Sequence, residues 1–208
     1  MTISWYGEGC FKIQSGDFVI LTDPFSADMG LAPPRIKPSA ILYTLHSFPI
    51  PFAQDSGAEK TIFGAGEYDT DYARITGIPL DKESTSTFVK AVYRVEMEGI
   101  TLGVLGHISG ELPPEAVEKL AGAEVVFFPA GGAPFLSQKD AAALLKTLEP
   151  KVAIPSFFKI PNLKRKAGSL EEFAAYAKFP RLEPQEKISL RRKDIAEISR
   201  TELMELRA

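Results

Sequence analysis

A chain of 208 residues with 45% hydrophobic and 25% charged residues has the size of one globular domain with a sizeable core. The formal net charge of −3 gives no electrostatic reason to expect nucleic acid or an anionic membrane as a partner. A single cysteine, Cys10, excludes an intramolecular disulfide and a cysteine-rich zinc site. No window approaches about 18 uninterrupted apolar residues, so the expectation is a cytoplasmic protein that spans no membrane.

In chain order, "TISWYG", "CFKIQSG" and "FVILTDP" read as three strands in close succession, with Gly16-Asp17 supplying the turn between the second and third. "SAILYT" has the composition of a buried strand. β-Branched and aromatic residues repeat the strand signal near 61–64, 73–78, 88–97 and 100–106, and the polar "STST" of 84–87 is a loop.

The period then changes. "PPEAVEKLAG" places proline near the first turn of a short helix and glycine at its end. The strand "EVVFFP" follows. "SQKDAAALLKTLEP" is a helix capped by Ser137, with Ala141, Leu144, Leu145 and Leu148 at helical spacing and Pro150 as its stop. "KVAIPSFF" is again a strand, and a third helix starts at Ser169 with Glu172 at the capping-box position. Residues 194–208 carry Ile195, Ile198, Leu203 and Leu206 at roughly helical spacing, which predicts a terminal helix or a tail packed on its own domain. Two basic clusters, Lys164 to Lys166 and Arg191 to Lys193, are expected to be solvated. Strands early and strand–helix alternation late predict a single domain over 1–208, with two sheets and helices outside.

The segments "ISWYGEGCFKIQSGDFVILTDPF", "IKPSAILYT", "GAGEYDTDYARITGIP", "ITLGVLGH", "VVFFPAGG" and "KVAIPSFF" follow one another over about residues 2–180. This ordered set resembles the metallo-β-lactamase-fold superfamily, in the small branch related to ascorbate-6-phosphate lactonase. The resemblance implies an α/β (α+β) protein built as a four-layer αββα sandwich, with a binuclear metal site at one edge. There two metals would acidify a shared water and polarise the bond it attacks.

The ligand pattern itself is degenerate. Sliding the family's histidine–x–histidine–x–aspartate–histidine loop onto "TLHSFPI" puts Leu45, Ser47, Pro49 and Ile50 at the four ligand positions. The later positions hold His107, Gly110 and Phe157, and the family's early histidine is Glu8. A shift by one residue brings in His46 but then places Phe48 at the next position. Divalent cations need several oxygen or nitrogen donors at once, so no binuclear metal site and no cofactor are expected, with one weakly bound divalent metal as the alternative.

On the implied fold, Glu8, Asp23, His46 and His107 come near the old metal edge as candidates for an acid/base pair or a single ion site. Glu67 and Tyr68 frame it, and Phe48, Phe135 and Phe157 line a pocket there. Asp23 has a second reading as the cap of the loop after the third strand. Cys10 reads as a buried thiol, and His46 and Ser47 point apart as neighbours in an extended loop. Two kinds of function follow. One is a non-catalytic binding or assembly module for a small molecule or protein partner, including a further copy of itself. The other is a hydrolase of the lactonase or phosphoester class using a reduced site. A metal hydrolase completed by ligands from a partner subunit is a third.

Overall fold

The alternating burial of "TISW" and the first residues of "FKIQS", followed by five buried residues in "FVILT", is the pattern of an edge-to-centre meander: two strands with one dry face each, then one covered on both. The computed structural model describes residues 1–48 and 58–208. These three segments are β1 (Thr2–Trp5), β2 (Phe11–Ser15) and β3 (Phe18–Thr22), with Gly16 at a positive φ of 55° in the hairpin. β4 (Ala40–Tyr43), β5 (Leu45–Ser47), β6 (Lys60–Phe63), β7 (Gly66–Asp69), β8 (Ala73–Pro79), β9 (Phe88–Met97) and β10 (Ile100–Val104) follow. The second half runs α1 (Pro114–Leu120), β11 (Val125–Pro129), α2 (Gln138–Leu148), β12 (Val152–Ser156), α3 (Leu170–Ala177), β13 (Lys187–Ser189), α4 (Arg192–Glu197) and β14 (Glu202–Leu203).

Two sheets result. The first has the order β13-β1-β2-β3-β4-β6, antiparallel as far as β3 and parallel from β3 to β6. The second has the order β14-β12-β11-β10-β9-β8-β7, parallel on the β10 to β14 side and antiparallel on the other, with β5 pairing the start of β9. Successive strand residues point to opposite faces, and β11 shows what this does. Phe127 meets Phe11 of the opposing sheet with ring centroids 4.7 Å apart, whereas Phe128 turns outward to meet Phe173 of α3 at 4.8 Å. The expected two-sheet sandwich is the fold observed, and its helices α1, α2 and α3 form the layer outside the second sheet. Over the first sheet, Cys10, Leu21 and Ile41 are covered by Tyr6, Phe25, Ile36, Tyr43 and Ala58.

The helix signals work through their caps. Ser137 accepts the Asp140 amide, and Ser169 and Glu172 form a complete capping box. The terminal segment departs from its helical spacing: α4 ends at Glu197 and β14 adds to β12 in parallel, burying Leu203 and Leu206. An open sheet edge offering unpaired backbone groups outweighs a weak helical period. No described helix is long and apolar enough to cross a membrane.

Candidate functional site

The parallel strands of both sheets end at the same rim, so the loops leaving their C-terminal ends meet there, as in other open α/β sheets. Asp23 follows β3, Thr44 follows β4, His107 follows β10, Phe135 lies in the loop after β11, and Phe157 follows β12. Glu8 joins them from the β1–β2 loop. Three of these residues, Glu8 (φ 50°), Asp23 (φ 36°) and Phe157 (φ 55°), hold a left-handed backbone that glycine would adopt without strain. Such strain, about 1–3 kcal/mol each, persists only where surrounding contacts enforce it.

Asp23 and His107 are joined through Thr44. Asp23 accepts the Thr44 amide (2.7 Å) on one oxygen and the Thr44 hydroxyl (2.7 Å) on the other. The Thr44 Oγ1 in turn accepts the His107 amide (3.1 Å) and lies 2.7 Å from His107 Nδ1. With Asp23 ionised, the single hydroxyl proton goes to the carboxylate, so the Nδ1 of His107 donates to the Thr44 oxygen. Burial pushes the Asp23 carboxyl above its ordinary range, opposed by His107 and by the hydrogen bonds from Thr44 and the Leu45 amide.

Glu8 belongs to a second polar group. Its carboxylate, 5% exposed, accepts Arg165 Nε and Nη2, each at 3.2 Å. Arg165 Nη2 also donates to the Phe157 carbonyl (2.6 Å), and the guanidinium lies 5.1 Å from the centroid of Phe135. Between the two groups the rings are packed. Phe135 and Phe157 are 4.3 Å apart, and His107 is edge-on to both at 5.5 and 4.9 Å.

The loop after His107 is held from below. Glu83 accepts the Ser109 and Gly110 amides (2.8 Å each), the Ser109 hydroxyl (2.6 Å) and Lys90 Nζ (2.9 Å). Burial alone would raise the Glu83 carboxyl, but these donors outweigh it and hold it below the usual glutamate range.

The structure therefore brings together Glu8, Asp23, His107, Phe135 and Phe157, and leaves out the other expected members. His46 sits two residues beyond Thr44, roughly 7 Å along β5. There its ring packs on Tyr43 (5.3 Å) and Phe63 (4.6 Å), and Nδ1 bonds the Ser47 carbonyl. Phe48 is 41% exposed beside Thr87, whose carbonyl accepts its amide. Glu67 is exposed on β7 opposite Thr76, and Tyr68, opposite Ile75, packs against the core rather than the rim. Pro49 and Ile50 lie outside the described residues. Arg165, expected to be solvated with its basic neighbours, is instead partly enclosed against Glu8, its side chain 18% exposed. Neither Thr44 nor Arg165 is marked as a site residue by the sequence alone. The only hint of the first is a hydroxyl directly after the apolar run "AILY", and Arg165 carries none. The Cys10 thiol is fully buried and pushed up by that burial and by Asp23, as expected of a packing residue.

This donor set does not fit a metal pair. Both carboxylates already accept protein donors on each oxygen, Phe157 fills the space beside His107, and Leu45 and Gly110 offer no donor side chain. Among the described residues no group of three or more His, Cys, Asp or Glu side chains is placed to hold a metal ion.

Two mixed sheets face to face, with the site on the rim where their parallel strands end, define a metallo-β-lactamase fold. The family model "Beta-lactamase superfamily domain" matches residues 2–156, and the chain belongs to that family. Among solved structures it is similar to a candidate zinc-dependent hydrolase of the metallo-β-lactamase superfamily from Thermotoga maritima (22% identity, 99% of each chain covered, TM-score 0.77). It is also similar to a candidate metal-dependent hydrolase from Parabacteroides distasonis (16%, 99% of this chain and 93% of that one, 0.59) and to the fold member YhfI from Bacillus subtilis (10%, 98% and 95%, 0.62). At these identities the likeness establishes the fold. No curated protein matches.

Proposed function

We propose that this chain is a non-catalytic, cytoplasmic member of the family, in the branch related to ascorbate-6-phosphate lactonase, whose metal edge has become a packed structural rim. Its role is binding or assembly, with a small molecule, a protein or a further copy of itself as partner. One observation carries this reading: the positions that should supply imidazoles supply Leu45, Gly110 and the buried ring of Phe157, while Arg165 neutralises Glu8. A hydrolytic metal pair needs an open coordination position and room for water. Here that room holds phenylalanine.

A second reading, a hydrolase of the lactonase or phosphoester class using a reduced site, is favoured by the oriented imidazole of His107 on Thr44 and Asp23. One weakly bound divalent ion would belong to that case. Two measurements separate them. Elemental analysis of protein made in zinc- or manganese-supplemented medium should find well under one equivalent of metal per chain. Wild-type protein assayed with added metal against phosphoester, lactone and β-lactam substrates should show no turnover. Turnover that disappears in His107→Ala or Glu8→Ala would establish the reduced-site enzyme instead.

A further inference from the structure

We infer that Arg165 is the resident cation of this rim: its guanidinium fills a subsite made by the Glu8 carboxylate, the Phe157 carbonyl and the face of Phe135, and so fastens the segment 159–168 over the replaced ligand positions. The inference rests on the non-catalytic reading and extends it to what holds the rim together.

The fit is that of a planar fork, not of a point charge. Nε and Nη2 meet one carboxylate oxygen each at 3.2 Å, Nη2 reaches the Phe157 carbonyl at 2.6 Å, and Nη1 reaches the Lys166 carbonyl at 3.0 Å. The face of the guanidinium is spent on Phe135 at 5.1 Å, with Phe157 at 6.0 Å. The Glu8 backbone is tied to the same rim, its carbonyl accepting the Trp5 indole N–H (2.9 Å) and the Phe157 amide (3.4 Å). A carboxylate only 5% exposed needs a fixed positive partner, and Arg165 is the cation paired with it. The rest of the segment is tied at both sides of that pair. Lys159 donates its amide to the Gly168 carbonyl and Gly168 its amide to the Gly131 carbonyl, while Lys164 Nζ reaches the Asp28 carbonyl at 2.8 Å.

Chemical rescue tests this. Arg165→Ala should lower Tm by roughly 10 °C, and N-methylguanidinium at millimolar concentration should restore most of the loss. Methylammonium and zinc should not, because neither presents the fork, and Glu8→Gln in the same background should abolish the rescue. Arg165→Lys, which keeps the charge, should fall between wild type and Arg165→Ala. An Arg165→Ala protein as stable as wild type, rescue by zinc or methylammonium as good as by N-methylguanidinium, or an Arg165→Lys protein matching wild type would overturn the inference. Should Arg165→Ala fail to fold, the comparison of Arg165→Lys with wild type decides alone. Metal content and turnover of the wild type test the non-catalytic reading separately, so either idea can fail without the other.

Discussion

His107 Nδ1 lies 3.6 Å from Asp23 Oδ2, and the Thr44 hydroxyl stands between them at 2.7 Å from each. The hydroxyl makes every bond it can: it donates once, and accepts from the amide and ring of His107. Thr44→Val keeps the shape and removes all three. It should cost about 1–3 kcal/mol, since the partly satisfied Asp23 stays buried, and a urea midpoint shifted without a change in slope would show it. His107→Ala should cost less, about 1 kcal/mol, because its ring is partly exposed and its loss leaves Asp23 bonded to Thr44.

The buried Asp23 carboxyl also gives stability a pH dependence of unusual sign. Its folded-state pKa is raised, so the folded protein binds the proton more tightly than the unfolded chain does. The contribution is fully present below the ordinary aspartate pKa of 3.8 and is lost as pH rises through the folded value. Asp23→Asn should remove this dependence. Unfolding free energies measured from pH 4 upward, wild type minus variant, should decline with pH and then level off; a flat difference would contradict the assignment.

Glu83 has the opposite sign. Its carboxyl is held below the glutamate range, so its stabilisation is present above that range and lost as pH falls through the folded value. Glu83→Gln removes the ion pair of Lys90, whose side chain is 11% exposed and keeps only the Ser109 hydroxyl, and loosens Ser109 and Gly110. A loss of about 2 kcal/mol is expected, together with faster hydrogen exchange at the Ser109 and Gly110 amides, which a purely global destabilisation would not single out.

Gly106 lies at φ 48°, and a Cβ there would come within 2.0 Å of Thr44 Oγ1. Gly106→Ala must therefore push Thr44 off Asp23 and His107. The expected cost is about 2–4 kcal/mol, from strain, overpacking and the broken hydrogen bonds together. In a double-mutant cycle with Thr44→Val it should be strongly non-additive, because both changes break the same bonds.

Most of the fold was legible because its signals are local. Capping residues Ser137, Ser169 and Glu172, the turn at Gly16 and the unbroken apolar strands act over three or four residues, and the structure keeps them. The site was legible by halves. Asp23, Glu8, His107, Phe135 and Phe157 could be placed because each lies in a loop beside a recognisable strand of the ordered motif set whose resemblance implied the fold. His46 could not, since its position depends on the pairing of β5 with β9, a contact across more than 40 residues that no periodicity records. Arg165 was hidden for the same reason: its partner Glu8 is 157 positions away, and a basic run looks identical whether solvated or paired.

β1 pairs with β13, so that Ile3 lies opposite Ile188. The outer edge of the first sheet is thus completed by a strand lying 185 residues further along the chain. Until that strand docks, β1 presents an unpaired row of backbone groups beside finished strands, the kind of surface on which nascent chains stick to one another. Closing so long a loop also places the contact among the costliest to form early. Closure of this sheet edge should consequently be among the late events of folding, with the first strand exposed until it happens.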